Sequence, residues 1–281
     1  MDALCPQSNL EREAGLERPD REIGAVVLSC RELGSTNRTL LDLADRGAGH
    51  GTVLLADHQT AGEGKGDRVW FSRPGGGLCV SILLRSEIRS ELLPQIPVVA
   101  AVAMLAALHA QGFVEARLKW PNDILIDGRK VCGILAETAE GPGRPVVVGA
   151  GLNVDLGLGD FPADLRRTAT SLAIAAGRPW DRRKVLAAYL AAFETWFARW
   201  RKRGFAPVHT FWCRWSCTLG RTVSFDAADI TVAGEAVGLA ADGGLLVRDG
   251  SGLLHRFHSG EMRQSPPEAL PHLNQSHKRS I

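Results

Sequence analysis

Lys119 stands directly before Trp120, Pro121, Asn122 and Asp123, ahead of a stretch of alternating apolar residues that runs on to Thr138. Pro121 biases Trp120 towards extended backbone, so the lysine sits in stiff geometry. A lysine in an otherwise apolar approach is costly to bury unless an anion or hydrogen bonds satisfy it. Two readings stand at this point: Lys119 meets an anion, or Trp120 simply fills a core. Earlier, Gln59 to Trp70 reads QTAGEGKGDRVW, with Gly62, Gly64 and Gly66 at alternate positions. Glycine lets backbone N–H groups converge on a phosphate. The spacing matches neither the P-loop nor the dinucleotide fingerprint, and taken alone it reads as a flexible connection between strands sooner than as a phosphate cradle. Cys213, Cys217 and His209 are close enough in sequence to recruit a metal, but they lie in a Trp-rich stretch that reads as core packing.

The elements that must position these residues are legible in outline. Residues 1–22 are charged and lack periodicity, and read as a flexible tail. A strand is expected from Ile23. A helix follows, capped by Ser35 or Thr36, with Leu40, Leu41 and Ala44 on one face and Gly47 as its stop. Strand, glycine loop and strand come next, then a buried apolar helix ending near Gly112. Asp127-Gly128 is a strong hairpin signal between two further strands, and RPVVVGAGLNVDL predicts another. After a Gly/Pro/Asp-rich link, Leu186, Leu190, Phe193, Phe197 and Trp200 recur at helical steps, with basic residues in the last turn. Beyond Thr218 short strands alternate with Gly/Asp turns, predicting a small β-barrel, and residues 265–281 read as disordered.

Composition excludes several classes. The 281 residues are 45% hydrophobic and carry a net charge of +2, which provides no global field. No dense basic block with interleaved aromatics is present, so no nucleic-acid partner is expected. The six cysteines (Cys5, Cys30, Cys79, Cys132, Cys213, Cys217) form no Cys-x-x-Cys pair. The N-terminus has no secretory h-region, and VVAAVAMLAALHA is too short to span a bilayer; a cytoplasmic protein with no membrane partner is expected.

Taken in order, Gly34-Ser-Thr-Asn37, Gln59-Thr-Ala-Gly62, Arg68-Val-Trp-Phe-Ser72, Lys119-Trp-Pro-Asn-Asp123, Gly128-Arg-Lys-Val-Cys-Gly-Ile-Leu135 and Gly149-Ala-Gly-Leu-Asn153 resemble the biotin–protein ligase family. Thr170-Ser-Leu-Ala173 and the C-terminal GRTVSF…HSGEM resemble its linker and terminal barrel, so the likeness covers roughly Ile23 to Met262. The resemblance implies an α+β fold: a mixed β-sheet catalytic domain over residues 23–217 with helices packed on it, then an SH3-like barrel over residues 218–264. It implies a ligase that joins biotin to ATP with Mg²⁺ and passes the acyl group to a lysine of a biotin carboxyl carrier domain of an acyl-CoA carboxylase. A homodimer is left open.

By position, the resemblance implies that Ser35, Thr36, Asn37 and Gln59 meet the biotin head, where hydroxyl and amide groups match the donors and acceptors of a flat urea. Glu63, Gly64, Gly133, Leu135, Gly149 and Gly151 would line the rest of the biotin slot. Lys119 would offset the repulsion between carboxylate and α-phosphate, with Lys65 and Arg68 beside it. Arg68, Trp70, Asn122, Lys130 and Asn153 would form the ATP side, Trp70 stacking on adenine. No metal ligands are assigned. The family's loop usually reads Gly-Arg-Gly-Arg, whereas Glu63 and Lys65 stand here, so weaker retention of the adenylate is expected, relieved by Glu63→Arg with Lys65→Arg. The altered loop keeps a non-catalytic biotin-binding module in view, and a lipoate or octanoate ligase shares the fold. Some relatives carry an N-terminal DNA-binding module that represses transcription; the short charged N-terminus here leads us to expect a ligase without that role.

Overall fold

The computed structural model describes residues 10–13, 15–66, 68–85, 88–138, 144–227, 230–258 and 262–264. Its first sheet contains β1 (Glu11–Arg12), β2 (Val27–Leu33), β3 (Val53–Gln59), β4 (Gly77–Leu84), β5 (Arg117–Lys119), β6 (Asp123–Ile126), β7 (Arg129–Thr138) and β8 (Val146–Asn153). Their spatial order is β1-β2-β3-β4-β8-β7-β6-β5. The sheet is mixed: β2 and β3 run parallel, and every other pairing is antiparallel.

Period-two burial divides this sheet into two faces. Leu78, Val80, Ile82 and Leu84 of β4 and Val146, Val148, Ala150 and Leu152 of β8 join one large core. That core takes in α2 (Ile96–Ala110), α4 (Arg182–Arg203) and α5 (Ala206–Trp215). Among the described residues the helix on the other face is α1 (Thr36–Asp45), whose Leu40 and Ala44 pack on Leu33, Leu54, Cys79 and Leu83. A ten-residue helix covers part of an eight-stranded sheet, and the remainder of this face is where a cavity can form.

α2 is apolar all round because it is packed all round, against α4 on one side and the sheet on the other. With the 3₁₀ turn Ser90–Gln95 it forms a 21-residue apolar stretch, longer than expected from sequence, and by length and composition sufficient to cross a membrane. Two-thirds of its most apolar 18-residue window is buried in the protein interior. The predicted stripe of α4 is buried throughout, and Asp181 caps it by accepting from Arg183 N–H.

The expectation of a tail over residues 1–22 does not hold for residues 10–13 and 15–22. Glu11–Arg12 pairs with β2, Ser29 Oγ donates to Glu13 at 2.8 Å, and Arg18 bridges Glu194 at 2.9 Å. This segment is held by backbone pairing and charge, which leave no hydrophobic period. The α5 helix, which begins at the Ala206-Pro207 step and was not predicted, contains His209 and Cys213 at helical spacing, their nearest ring nitrogen and sulfur 3.7 Å apart. The Gly/Pro/Asp-rich link contains a short helix, α3 (Leu172–Ala176), capped by Ser171. The second sheet is antiparallel and holds β9 (Thr222–Ala227), β10 (Ile230–Leu239), β11 (Leu245–Asp249), β12 (Leu254–Phe257) and β13 (Met262–Gln264), in the order β12-β11-β10-β9-β13. Residues 265–281, expected to be disordered, lie outside the described residues.

Candidate active site

Parallel pairing of β2 and β3 sets Leu33 opposite Gln59, so the turn after β2 and the end of β3 emerge side by side. Ser35 caps α1 in extended backbone, and Thr36 offers both its N–H and its hydroxyl to Gln59 Oε1, at 2.7 and 2.9 Å. Beneath them Ser81 Oγ lies 2.7 Å from Thr36 Oγ1 and 2.6 Å from Asn37 Oδ1. Asn37 donates to Glu137 Oε2 at 2.6 Å and to the Leu135 carbonyl at 3.3 Å. A Cβ on Gly149 would strike the Asn37 carboxamide, so glycine there lets the amide approach the strand. The result is a network of hydroxyls and amides fixed by reciprocal contacts, with the Glu137 carboxylate behind Asn37.

Register carries the site across the sheet. Ser81, Gly149 and Leu135 lie opposite one another on β4, β8 and β7. The adjacent row runs Cys79, Gly151, Gly133, Asp123 and Lys119, out to β5. Paired residues in antiparallel strands share a face, so Lys119 is delivered to the glycine floor about 14 Å from Gly151, three strand spacings away. The Trp70 indole lies against that floor: a Cβ on Gly151 would overlap it, and one on Gly133 would come within 3.2 Å. Burial raises the thiol of Cys79, next in the row, to about 11.

The glycine loop folds back on itself. Gly64 N–H donates to the Arg68 carbonyl at 2.7 Å and Trp70 N–H to the Gly62 carbonyl at 2.8 Å, with Glu63 bridged to Val69. A Cβ at Gly62 would meet the Trp70 carbonyl at 2.6 Å, and Gly66 has a φ of +69°, so both positions require glycine. The carboxylate of Glu63 is ion-paired with Arg38. Lys65 turns towards the second sheet: its ammonium donates to the His258 carbonyl at 3.3 Å and lies 5.6 Å from the Trp120 ring centre. Burial, with the nearby Arg68, lowers its pKa from the ordinary lysine value.

Among the described residues, the ammonium of Lys119 makes no hydrogen bond or ion pair. Lys130 pairs with Asp123 at 2.7 Å and lies 5.5 Å from the Trp70 ring centre. Asn122 and Asn153 reach the cavity, yet their amide nitrogens are engaged, by the carbonyls of Ile134 and Thr170 respectively. Every residue named for the site from sequence lines one cavity of about 770 Å³, within the range of ligand pockets. Sequence reasoning missed Ser81 and a further wall that includes Phe161, Asp164, Arg167 and Thr168. That wall is held by Lys130, whose N–H donates to the Thr168 carbonyl at 2.7 Å and whose carbonyl accepts from Thr170 at 2.9 Å. A lone hydroxyl in the apolar run Gly77–Leu84 was the available signal for Ser81; the wall has no periodic signal.

Comparisons with known proteins identify the family and the fold. Residues 29–153 match the model of the Biotin/lipoate A/B protein ligase family, and residues 218–262 that of the Biotin protein ligase C terminal domain. The Bifunctional ligase/repressor BirA of Bacillus subtilis (strain 168) is 37% identical over 223 residues, 79% of this chain and 69% of that protein. The Biotin--[acetyl-CoA-carboxylase] ligase of Paracoccus denitrificans is 33% identical over 224 residues, 78% of this chain and 92% of that one. The biotin protein ligase from Aquifex aeolicus, in complex with biotin and ATP, superposes with a TM-score of 0.76 at 30% identity, covering 85% of this chain and 99% of that one. By sequence and by fold, the chain belongs to the biotin/lipoate protein ligase family.

Proposed function

We propose that the protein activates biotin with ATP as biotinyl-5′-adenylate and passes the acyl group to a lysine of a biotin carboxyl carrier domain of an acyl-CoA carboxylase. The observation that carries this reading is one continuous cavity with an amide-and-hydroxyl network at one end and, on its wall, Lys119, which has no ion pair among the described residues. Thr36, Asn37 and Gln59 suit the urea of biotin, and the glycine floor suits a flat bicycle and its chain. In the first step a carboxylate oxygen bonds to the α-phosphorus and the bond to pyrophosphate breaks. Both partners are anions, and Lys119 offsets their repulsion where water is scarce. In the second step the acceptor amine bonds to the acyl carbon, AMP leaves with the bonding pair, and the amine gives up a proton. Positioning and electrostatics suffice for both steps.

Among the described residues no group of three His, Cys, Asp or Glu side chains converges to hold a metal ion. Asp123, beside Lys119 in register, is engaged by Lys130. This donor set suits Mg²⁺ that arrives on the phosphates of ATP, as part of the nucleotide substrate. The test is biotin-dependent exchange of labelled pyrophosphate into ATP, with wild type compared with Lys119→Ala. Exchange that collapses in the variant supports the reading, whereas biotin binding without exchange in wild type would overturn adenylation.

A further inference from the structure

Glu63 stands in the cavity wall where a count of charges reads a lost cation, yet its carboxylate is already engaged by α1. One oxygen is ion-paired with Arg38, in the first turn of α1, and the other lies 3.5 Å from Ser35 Oγ. The Glu63 side chain is 26% exposed, so the contact is well shielded on its side, while Arg38 at 72% reaches it from solvent. Both partners are fixed where it matters. Arg38 follows Ser35, Thr36 and Asn37, whose hydroxyls and amide form the hydrogen-bonding end of the cavity. Glu63 is bridged to Val69, and its neighbour Gly62 holds the Trp70 N–H, so its position sets that of the indole on the glycine floor.

We propose that Arg38 and Glu63 are a positioning pair that fastens the segment carrying Trp70 to the helix turn carrying the biotin-head residues. The inference rests on the proposed biotin ligation. The pair acts through Ser35 and Trp70 and is no part of the reacting centre. Lys65 fastens the same segment on its far side, to the His258 carbonyl. The consequence reverses the expectation from sequence: an arginine at residue 63 would face Arg38 as a like charge, and Ser35 would lose its acceptor.

The experiment uses the full chain and four proteins: wild type, Arg38→Glu, Glu63→Arg and the double reversal. Biotin affinity is measured by calorimetry without ATP, and KM and kcat are measured in pyrophosphate exchange. Each single variant should weaken biotin binding and raise its KM about five-fold, with kcat little changed, in line with an ion pair of this exposure. The double reversal should return both to within about two-fold of wild type, as expected for a directly coupled pair. Circular dichroism and melting temperature should match across all four. Biotin binding that is unchanged or tighter in Glu63→Arg would overturn the inference, as would a double reversal no better than the single variants. If wild type binds biotin but shows no exchange, the ligase reading fails while the binding data still decide the pair.

Discussion

The two ends of the cavity are built on opposite principles. At the α1 end Thr36, Asn37, Gln59 and Ser81 are uncharged, buried or half-buried and hydrogen-bonded among themselves, with the Glu137 carboxylate behind Asn37. At the β5 end Lys119 has no ion pair among the described residues, Lys130 shares a single carboxylate, and Lys65 is drawn off to a carbonyl. A neutral bicyclic head is recognised by groups held rigidly at hydrogen-bonding distance, so that end is assembled beforehand. An approaching pair of anions needs positive charge that the protein has not already neutralised, so that end is left under-compensated. Stiffness identifies the ligand at one end, and residual charge drives chemistry at the other.

Lys119→Ala tests the charged end most severely: the exchange rate should fall about 100-fold or more, the scale seen when a preorganised charge-stabilising group is removed, with biotin affinity largely kept. Gly149→Ala attacks the rigid end by driving a methyl into the Asn37 carboxamide, and overpacking of this kind should weaken biotin binding about 30-fold by calorimetry. A smaller effect is expected of Ser81→Ala, which strips a buried hydroxyl from beneath Thr36 and Asn37; biotin affinity should drop about ten-fold, with kcat nearly unchanged. Trp70→Ala should raise KM for ATP about five-fold through lost stacking. If Ser81→Ala lowered kcat more than affinity, or if Lys119→Ala lost biotin binding outright, the separation between the ends would not stand.

Much of this site could be read from the chain because its parts are local. Asp127 and Gly128 adopt φ values of 50° and 75°, the two left-handed residues that the hairpin signal requires. Ser35 caps the helix that its hydroxyl predicts. The glycines at residues 62 and 66 answer to close approach and positive φ, both written in residue type. What stayed hidden depends on partners far away in sequence. Ser81 is 0% exposed in an apolar strand, and its use becomes visible only when α1 is laid across β4. The wall around Thr168 is fixed by backbone bonds to Lys130, which residue type does not encode. The direction of Glu63 could not be inferred from charge alone, since Arg38 is its neighbour in space and lies 25 positions away. β5 escaped prediction because its three residues end in the stiff stretch that makes Lys119 conspicuous.

Trp120 carries a consequence for how the molecule divides. Its indole N–H donates to the Gly243 carbonyl at 3.2 Å, its backbone N–H to Thr218 Oγ1 at 3.0 Å, and its ring meets Phe225 edge-on at 5.6 Å. The neighbour of Lys119 is therefore a rivet through the seam between the two sheets. A cut at residue 217 would leave the larger piece with a bare indole directly beside the lysine. The small C-terminal sheet, with no side chain in the cavity wall among the described residues, is part of the foundation on which the reactive ammonium stands.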